Sequence, residues 1–407
     1  MIFRSGLIVT SYLKAHEINK KLGRYELSVK ITLILRKINL MKSNVSILLV
    51  FLMIFLIFPN GNGSVVPFTR KPHDPPPRII RTCCAFGSDL KISGIPFKRI
   101  TEVTSLGEIG AHVYLGGKKE GNGIIYTEKG GFIDLGHLRD IADWTRYLSN
   151  EILSTKGAYK EITLGREGGK KTLNLWIPAD ITKQDAANLA GRIAYDLSVW
   201  HEIGTWFGTS FIPFVPERYS AFSPEDQYSN LTGAVLGVAA LNSEQPFELA
   251  MTGLVDEMLT NLKAVDTREK TLEAMEAVVG DWWTRDMKLP SKKVLIKRYV
   301  NADSTLIPWV LPNTKVDSLQ PVSIPAFRDD HLAEMYEINF KLNRKFPIKE
   351  IFPDRDDRCI SQNDFPAMMA YIEKKTDALE NEIVLELDAK QEKKKKRAER
   401  RDRAKSH

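Results

Sequence analysis

The chain has 407 residues, 43% hydrophobic and 27% charged, which gives it enough apolar content to bury a core and excludes a disordered chain. Its net charge of +7 sits at the ends: residues 1–63 carry nine Lys/Arg against Glu17 and Glu26, residues 390–407 carry ten against Glu392, Glu399 and Asp402, and residues 64–389 are therefore −7. An acidic body repels a phosphate backbone, so no nucleic-acid partner is expected despite a pI near 9.0.

Residues 45–58 are hydrophobic apart from Ser46, with Lys42 ahead and Pro59 behind. A run of this length is short for a bilayer, which takes about 20 apolar residues, and suits the core of a cleavable signal peptide over 41–63. An uncleaved anchor is the alternative. Residues 1–40 lack periodicity and are expected to be an over-extended start. The expected location is extracytoplasmic, periplasmic or secreted. Residues 64–82 hold five prolines and read as an extended tether.

Short β-branched and aromatic runs alternate with glycine turns from 86 to 134: KISGIPF, AHVYLGG, NGIIYT and GGFIDL. Helical periodicity then predicts helices near 136–153, 183–206, 224–241, 247–263 and 267–283. A strand is expected at 294–300, a helix at 329–343, and a last helix at 365–390 that dissolves into a disordered basic tail over 390–407. The reading is an α+β fold, with a β-rich N-terminal part packed on a mainly helical body as a single domain over 83–345 and a helical extension over 346–389. Cys83 or Cys84 could bridge to Cys359, three buried thiols being the alternative; the spacing excludes a zinc ribbon.

Two constellations carry chemistry. In GGFIDLGHLRDIADW, helical spacing puts His137 on one apolar stripe with Ile141, Trp144, Leu148 and Ile152, and Asp140 on its edge. Asp143 falls elsewhere and reads as a solvated acid. In SVWHEIGTWFG, His201 shares a face with Ala187, Ala190, Ala194 and Leu197, and Glu202 follows it. His-Glu on a helix begins the zinc-protease motif, yet Thr205 stands where the second histidine would be. The expected site is therefore one divalent metal, zinc first, on His137 and His201 with Asp140 or Asp226, and Glu202 as general base. His112, on an expected strand, and Thr205 are additional candidates. Glu225 and Asp226 are equally explained by a capping box after Ser223. In the competing reading both His/acid pairs only order the core of a non-catalytic envelope protein.

CCAFG (83–87), GAHVYLGG, IIYTEKGGFIDLGHLRDIADWT, WHEIGTWFG and FSPEDQYSN (222–230) together resemble a family of exported bacterial proteins known as domain of unknown function four thousand and fifty-six, over about residues 80–340. The resemblance implies an envelope setting, an envelope component as substrate or ligand, and no particular activity. The basic tail would suit an anionic membrane surface.

Overall fold

β1 (Ile124–Thr127) and β2 (Gly131–Asp134) form an antiparallel hairpin in which every residue is buried. β2 runs without a loop into α1 (Leu135–Ser154), because Asp134 ends the strand and caps the helix. Its Oδ1 accepts from the Gly136 and His137 amides at 2.7 and 3.1 Å, a cap worth about 1 kcal/mol. The computed structural model describes residues 77, 81, 85–90, 101–209, 217–287, 294–312, 314, 319–325 and 331–405. The expected signal segment, most of the tether, Cys83, Cys84 and the KISGIPF run lie outside them. Residues 71–407 form one compact α+β unit.

A second hairpin follows α1: β3 (Ala158–Arg166) and β4 (Gly169–Ile177). It continues into α2 (Lys183–Trp206), capped by Thr182, whose hydroxyl accepts from the Asp185 amide at 3.0 Å. α3 (Asp226–Asn242), α4 (Phe247–Asn261) and α5 (Arg268–Ala277) complete the helical body. The later chain supplies the two-residue pair β5 (Thr305–Leu306) and β6 (Val322–Ser323), then β7 (Tyr336–Leu342), α6 (Ile348–Ile351), β8 (Cys359–Ser361) and α7 (Phe365–Lys405).

The main sheet is antiparallel with order β3-β4-β7-β8. Its alternation sends Leu173, Leu175, Ile338, Phe340 and Ile360 inward. There the Trp200 ring of α2 lies 4.1 Å from Phe340 and 5.5 Å from Phe346, centroid to centroid. The other side of α2 meets α1 and α3, so the helix is buried almost all round.

Glycines let α1 and α3 approach closely. A Cβ on Gly233 would fall 2.2 Å from the Leu138 carbonyl oxygen, and one on Gly237 would fall 3.1 Å from Ala142 Cα. Backbone cannot yield as a flexible side chain does. Gly233→Ala is therefore expected to lower stability by about 1–3 kcal/mol, read as an earlier urea midpoint. An unchanged midpoint would show that the two helices part without cost.

Several expectations need correction. The helix expected at 329–343 is a 3-10 turn (His331–Met335) followed by β7. Tyr336, Ile338, Phe340 and Leu342 alternate with Glu337, Asn339 and Lys341, a period of two that the sheet uses. Residues 294–300 form no strand beyond a bridge between Leu295 and Trp283, because Arg298 turns inward to the Ala221 and Tyr219 carbonyls. AHVYLGG is irregular, with Leu115 and Gly116 at positive φ. α5 stops at Ala277, short of 283, where the chain turns through Gly280 at φ +84°. α7 runs on to Lys405 through the segment expected to be disordered. Lys, Arg, Glu and Ala are strong helix formers, Lys396 pairs with Glu392 one turn back, and cations suit a helix C-terminus. None of the described helices is long and apolar enough to cross a membrane.

Candidate metal centre and its cavity

His137 stands in the first turn of α1, three residues after the capping Asp134. α3 begins opposite, and His137 Nδ1 lies 3.1 Å from Asp226 Oδ1. One ligand atom from each of Asp134, His137 and Asp226 lies within 4.8 Å of the others, and all three residues are buried. Each acid spends one oxygen on backbone: Asp134 Oδ1 on the α1 amides, and Asp226 Oδ2 on the Ser223 amide at 3.2 Å. Asp134 Oδ2 is buried without a hydrogen-bond partner among the described residues, a costly state for a carboxylate oxygen unless a cation or proton meets it.

Two further acids crowd the cluster. Glu202 Oε2 accepts the Phe222 amide at 2.7 Å, which ties α2 to the loop before α3. Phe222 itself is buried at φ +56°, a strained position for a residue with a Cβ. Glu225 Oε2 accepts the Ser223 hydroxyl at 2.6 Å. Burial, with repulsion from Asp226, pushes the Glu202 carboxyl up to about 7. The same two causes raise Glu225. Burial raises Asp226 too, against the pull of His137. The Arg298 guanidinium faces Glu202 and Asp226, and burial brings it down to about 9. Four buried carboxylates thus gather around one guanidinium and two imidazoles, and hard oxygen donors with an imidazole suit a divalent cation.

His201 approaches from α2, its ring centroid 6.4 Å from that of His137 and nearly perpendicular to it. Both rings line one cavity of about 360 Å³. Ile141, Trp144, Leu164 and Leu197 form its apolar wall, while Arg166 and Lys171 bring positive charge to it. The β3–β4 hairpin tip forms the remaining wall. A bulge between Thr163 and Gly165 re-aims the strand end, and the Glu167 carbonyl accepts the Trp200 indole N–H at 3.0 Å. The Glu167 side chain is thereby brought 2.5 Å from His201 Nδ1 and 2.5 Å from Lys171 Nζ. Burial pulls the His201 imidazole down, and Glu167 more than offsets it, so the ring is raised overall.

The two histidines line one cavity and Asp226 faces His137, but His201, expected as a second metal ligand, stands outside the Asp134–His137–Asp226 cluster and pairs with Glu167 instead. The remaining candidates stand outside the cluster. Asp140 also borders the cavity, yet its Oδ1 binds Arg81 at 2.7 Å. Asp143 is buried, not solvated, because Arg81 and His112 both reach it, at 2.9 and 3.1 Å. His112 is thus spent on α1 from an irregular loop and takes no part in the metal cluster. Thr205 is buried in the last turn of α2, outside the cluster. Glu202 is not among the cavity-lining residues. Cys359 is an exposed free thiol, and both suggested partners lie outside the described residues. The tether ends as part of the body, with Pro77 lining the cavity and Arg81 buried.

Sequence reasoning missed Asp134 and Glu167 altogether. Asp134 carried a signal, since an acid three residues before a histidine at a strand-to-helix junction is an N-cap aimed at the same turn. Glu167 carried none, because it depends on a hairpin that folds back over α2.

An α+β body with a buried histidine–carboxylate cluster beside a cavity defines the class of this protein. The chain belongs to the family described as Protein of unknown function (DUF4056), whose model matches residues 71–312. That span holds every residue of the cluster and the cavity, and leaves out β7, β8 and α7. No curated protein and no solved structure matches the chain.

Proposed function

We propose that this is an exported, metal-dependent hydrolase of the cell envelope. The observation that carries this reading is the cluster itself: ligand atoms of Asp134, His137 and Asp226 within 4.8 Å, with His137 and His201 lining one cavity. A divalent cation held by these three residues would polarise a water or a substrate oxygen. His201, set in the cavity wall and oriented by Glu167, takes or returns the proton there. Glu202, expected from the sequence to be the base, instead braces the Phe222 loop behind the cluster. The apolar wall seats the body of an ester, amide or phosphoester, and Arg166 and Lys171 favour a negatively charged one.

The purified protein is expected to hydrolyse chromogenic esters or phosphoesters only when supplied with zinc, manganese or magnesium. A chelator abolishes this activity, and His201→Ala lowers kcat by at least a hundredfold, within the usual range for an acid–base group. The second reading, a non-catalytic envelope protein, is favoured by the carboxylate that each imidazole has of its own. No turnover with any of the three cations would decide for it, whereas turnover that ignores chelation would overturn the metal-dependent mechanism.

A further inference from the structure

The basic C-terminal run has no part in the proposed hydrolysis, and its helical form gives it a geometry. α7 spans 41 residues, about 60 Å at 1.5 Å per residue. Its first half is anchored through Phe365, Met368, Ile372 and Ile383. Further along, Lys390 Nζ donates to the Asp286 carbonyl at 3.1 Å, and Lys394 Nζ lies 3.8 Å from the Asp286 carboxylate. Residues 391–403 are exposed throughout. Beyond Lys394 the helix backbone runs on to Lys405, about 16 Å further along its axis.

The charge on this arm is sorted by face. At 100° per residue, Lys393, Arg397, Arg400 and Arg401 fall on one broad side, joined by all the other basic residues of 390–403 except Lys395. That side covers about 180° of the circumference. Glu392, Glu399 and Asp402 share the opposite side with Lys395. The arm carries no aromatic residue, and Ala398 and Ala404 are its only apolar residues. Nothing on it can stack on bases or insert into hydrocarbon.

We propose that this arm docks the protein, by charge alone, on a surface of anionic phospholipid headgroups. A one-sided cationic stripe matches a plane of negative charge and keeps its three acids turned away from it. A nucleic-acid groove would close around the helix and meet those acids. The acidic body would be repelled by the same surface. The arm's reach of about 16 Å equals about two screening lengths at physiological salt, which leaves that repulsion weak.

The test is co-sedimentation of the full chain with vesicles containing about 30% phosphatidylglycerol or phosphatidylcholine alone, with circular dichroism as the control for helix content. Wild type is expected to pellet with the anionic vesicles only, and to lose at least tenfold in binding at about 0.5 M salt. Reversing the stripe (Lys393→Glu, Arg397→Glu, Arg400→Glu and Arg401→Glu together) should cost at least as much, whereas Lys395→Glu on the acidic side should cost less than twofold. The proposal is overturned by equal binding to neutral vesicles, by a stripe variant that pellets as wild type does, or by a stripe variant and Lys395→Glu that lose binding equally. A short DNA duplex that displaces the protein from anionic vesicles would replace the lipid with a nucleic-acid partner.

Discussion

Protein loaded with a divalent cation should withstand more urea than the chelated protein, by about 4 kcal/mol when the cation is at a thousand times its dissociation constant. His137→Ala should erase the difference. The stabilisation comes from the cost of the cation-free cluster, in which Asp134, Glu202, Glu225 and Asp226 are each at most 2% exposed. The sign of the pH dependence follows. Burial and mutual repulsion raise Glu202 from an ordinary 4.5 to about 7, and raise Glu225 and Asp226 in the same direction. A carboxyl raised in the folded state keeps a proton that the unfolded chain has lost. Its stabilising contribution is full below the unfolded value and is lost as pH climbs through the folded one. Chelated protein should therefore weaken between pH 5 and pH 8, by up to about 1.4 kcal/mol per pH unit for each such group. A bound cation needs the ionised carboxylates and should flatten that slope. Asp226→Asn separates the contributions, since it should strengthen the chelated protein at pH 8 and remove the response to metal. Urea curves at both pH values with and without chelator are the measurement. Identical midpoints in all four conditions would rule out the metal centre.

The largest effect of a single substitution on folding is expected at Arg81, where Arg81→Met should cost about 3–5 kcal/mol. The guanidinium is 1% exposed and makes five hydrogen bonds with its five N–H groups. Two go to Glu120, at 2.8 and 2.7 Å, one each to Asp140 and Asp143, at 2.7 and 2.9 Å, and one to the Val113 carbonyl at 3.0 Å. Burial would raise Glu120, but Arg81 brings it down to about 2, whereas burial still holds Asp140 up at about 6. Methionine keeps most of the volume and leaves three buried acids without that cation. Arg81→Lys should recover only part of the loss, because an ammonium offers three donors to acceptors arranged for a planar fork. Denaturation midpoints decide it, and an unchanged midpoint in the methionine variant would mean that the acids find water or protons at little cost.

How much of this was legible in the sequence depends on how far each partner lies along the chain. The helices over 135–154 and 183–206 announce themselves through periodic apolar residues, and the second also through its Thr182 cap. So does the inward direction of His137 and His201. Asp143 was misjudged because helix periodicity assigns a face and says nothing of what covers it. Here the cover is Arg81, 62 residues earlier, and the His112 loop. β7 was misread because YEINFKL suits a helix locally and alternates only when paired with β4. Glu202 kept its expected burial and changed its role, since the amide that claims it sits at a strained turn that no local pattern marks.

The main sheet joins residues separated by almost half the chain: Gly169 pairs with Leu342, and Leu173 with Ile338. The Trp200 stack and the hairpin tip that carries Glu167 lean on that late-arriving half. A nascent chain released as far as residue 312 would possess every ligand and cavity residue and still lack two of the four strands that brace them. Such sequence-distant pairing makes folding slow, and until β7 arrives β4 presents a bare ladder of amides and carbonyls to any passing strand. Competence would therefore wait for β7 and β8 to emerge, after an interval in which the half-built sheet is open to aggregation.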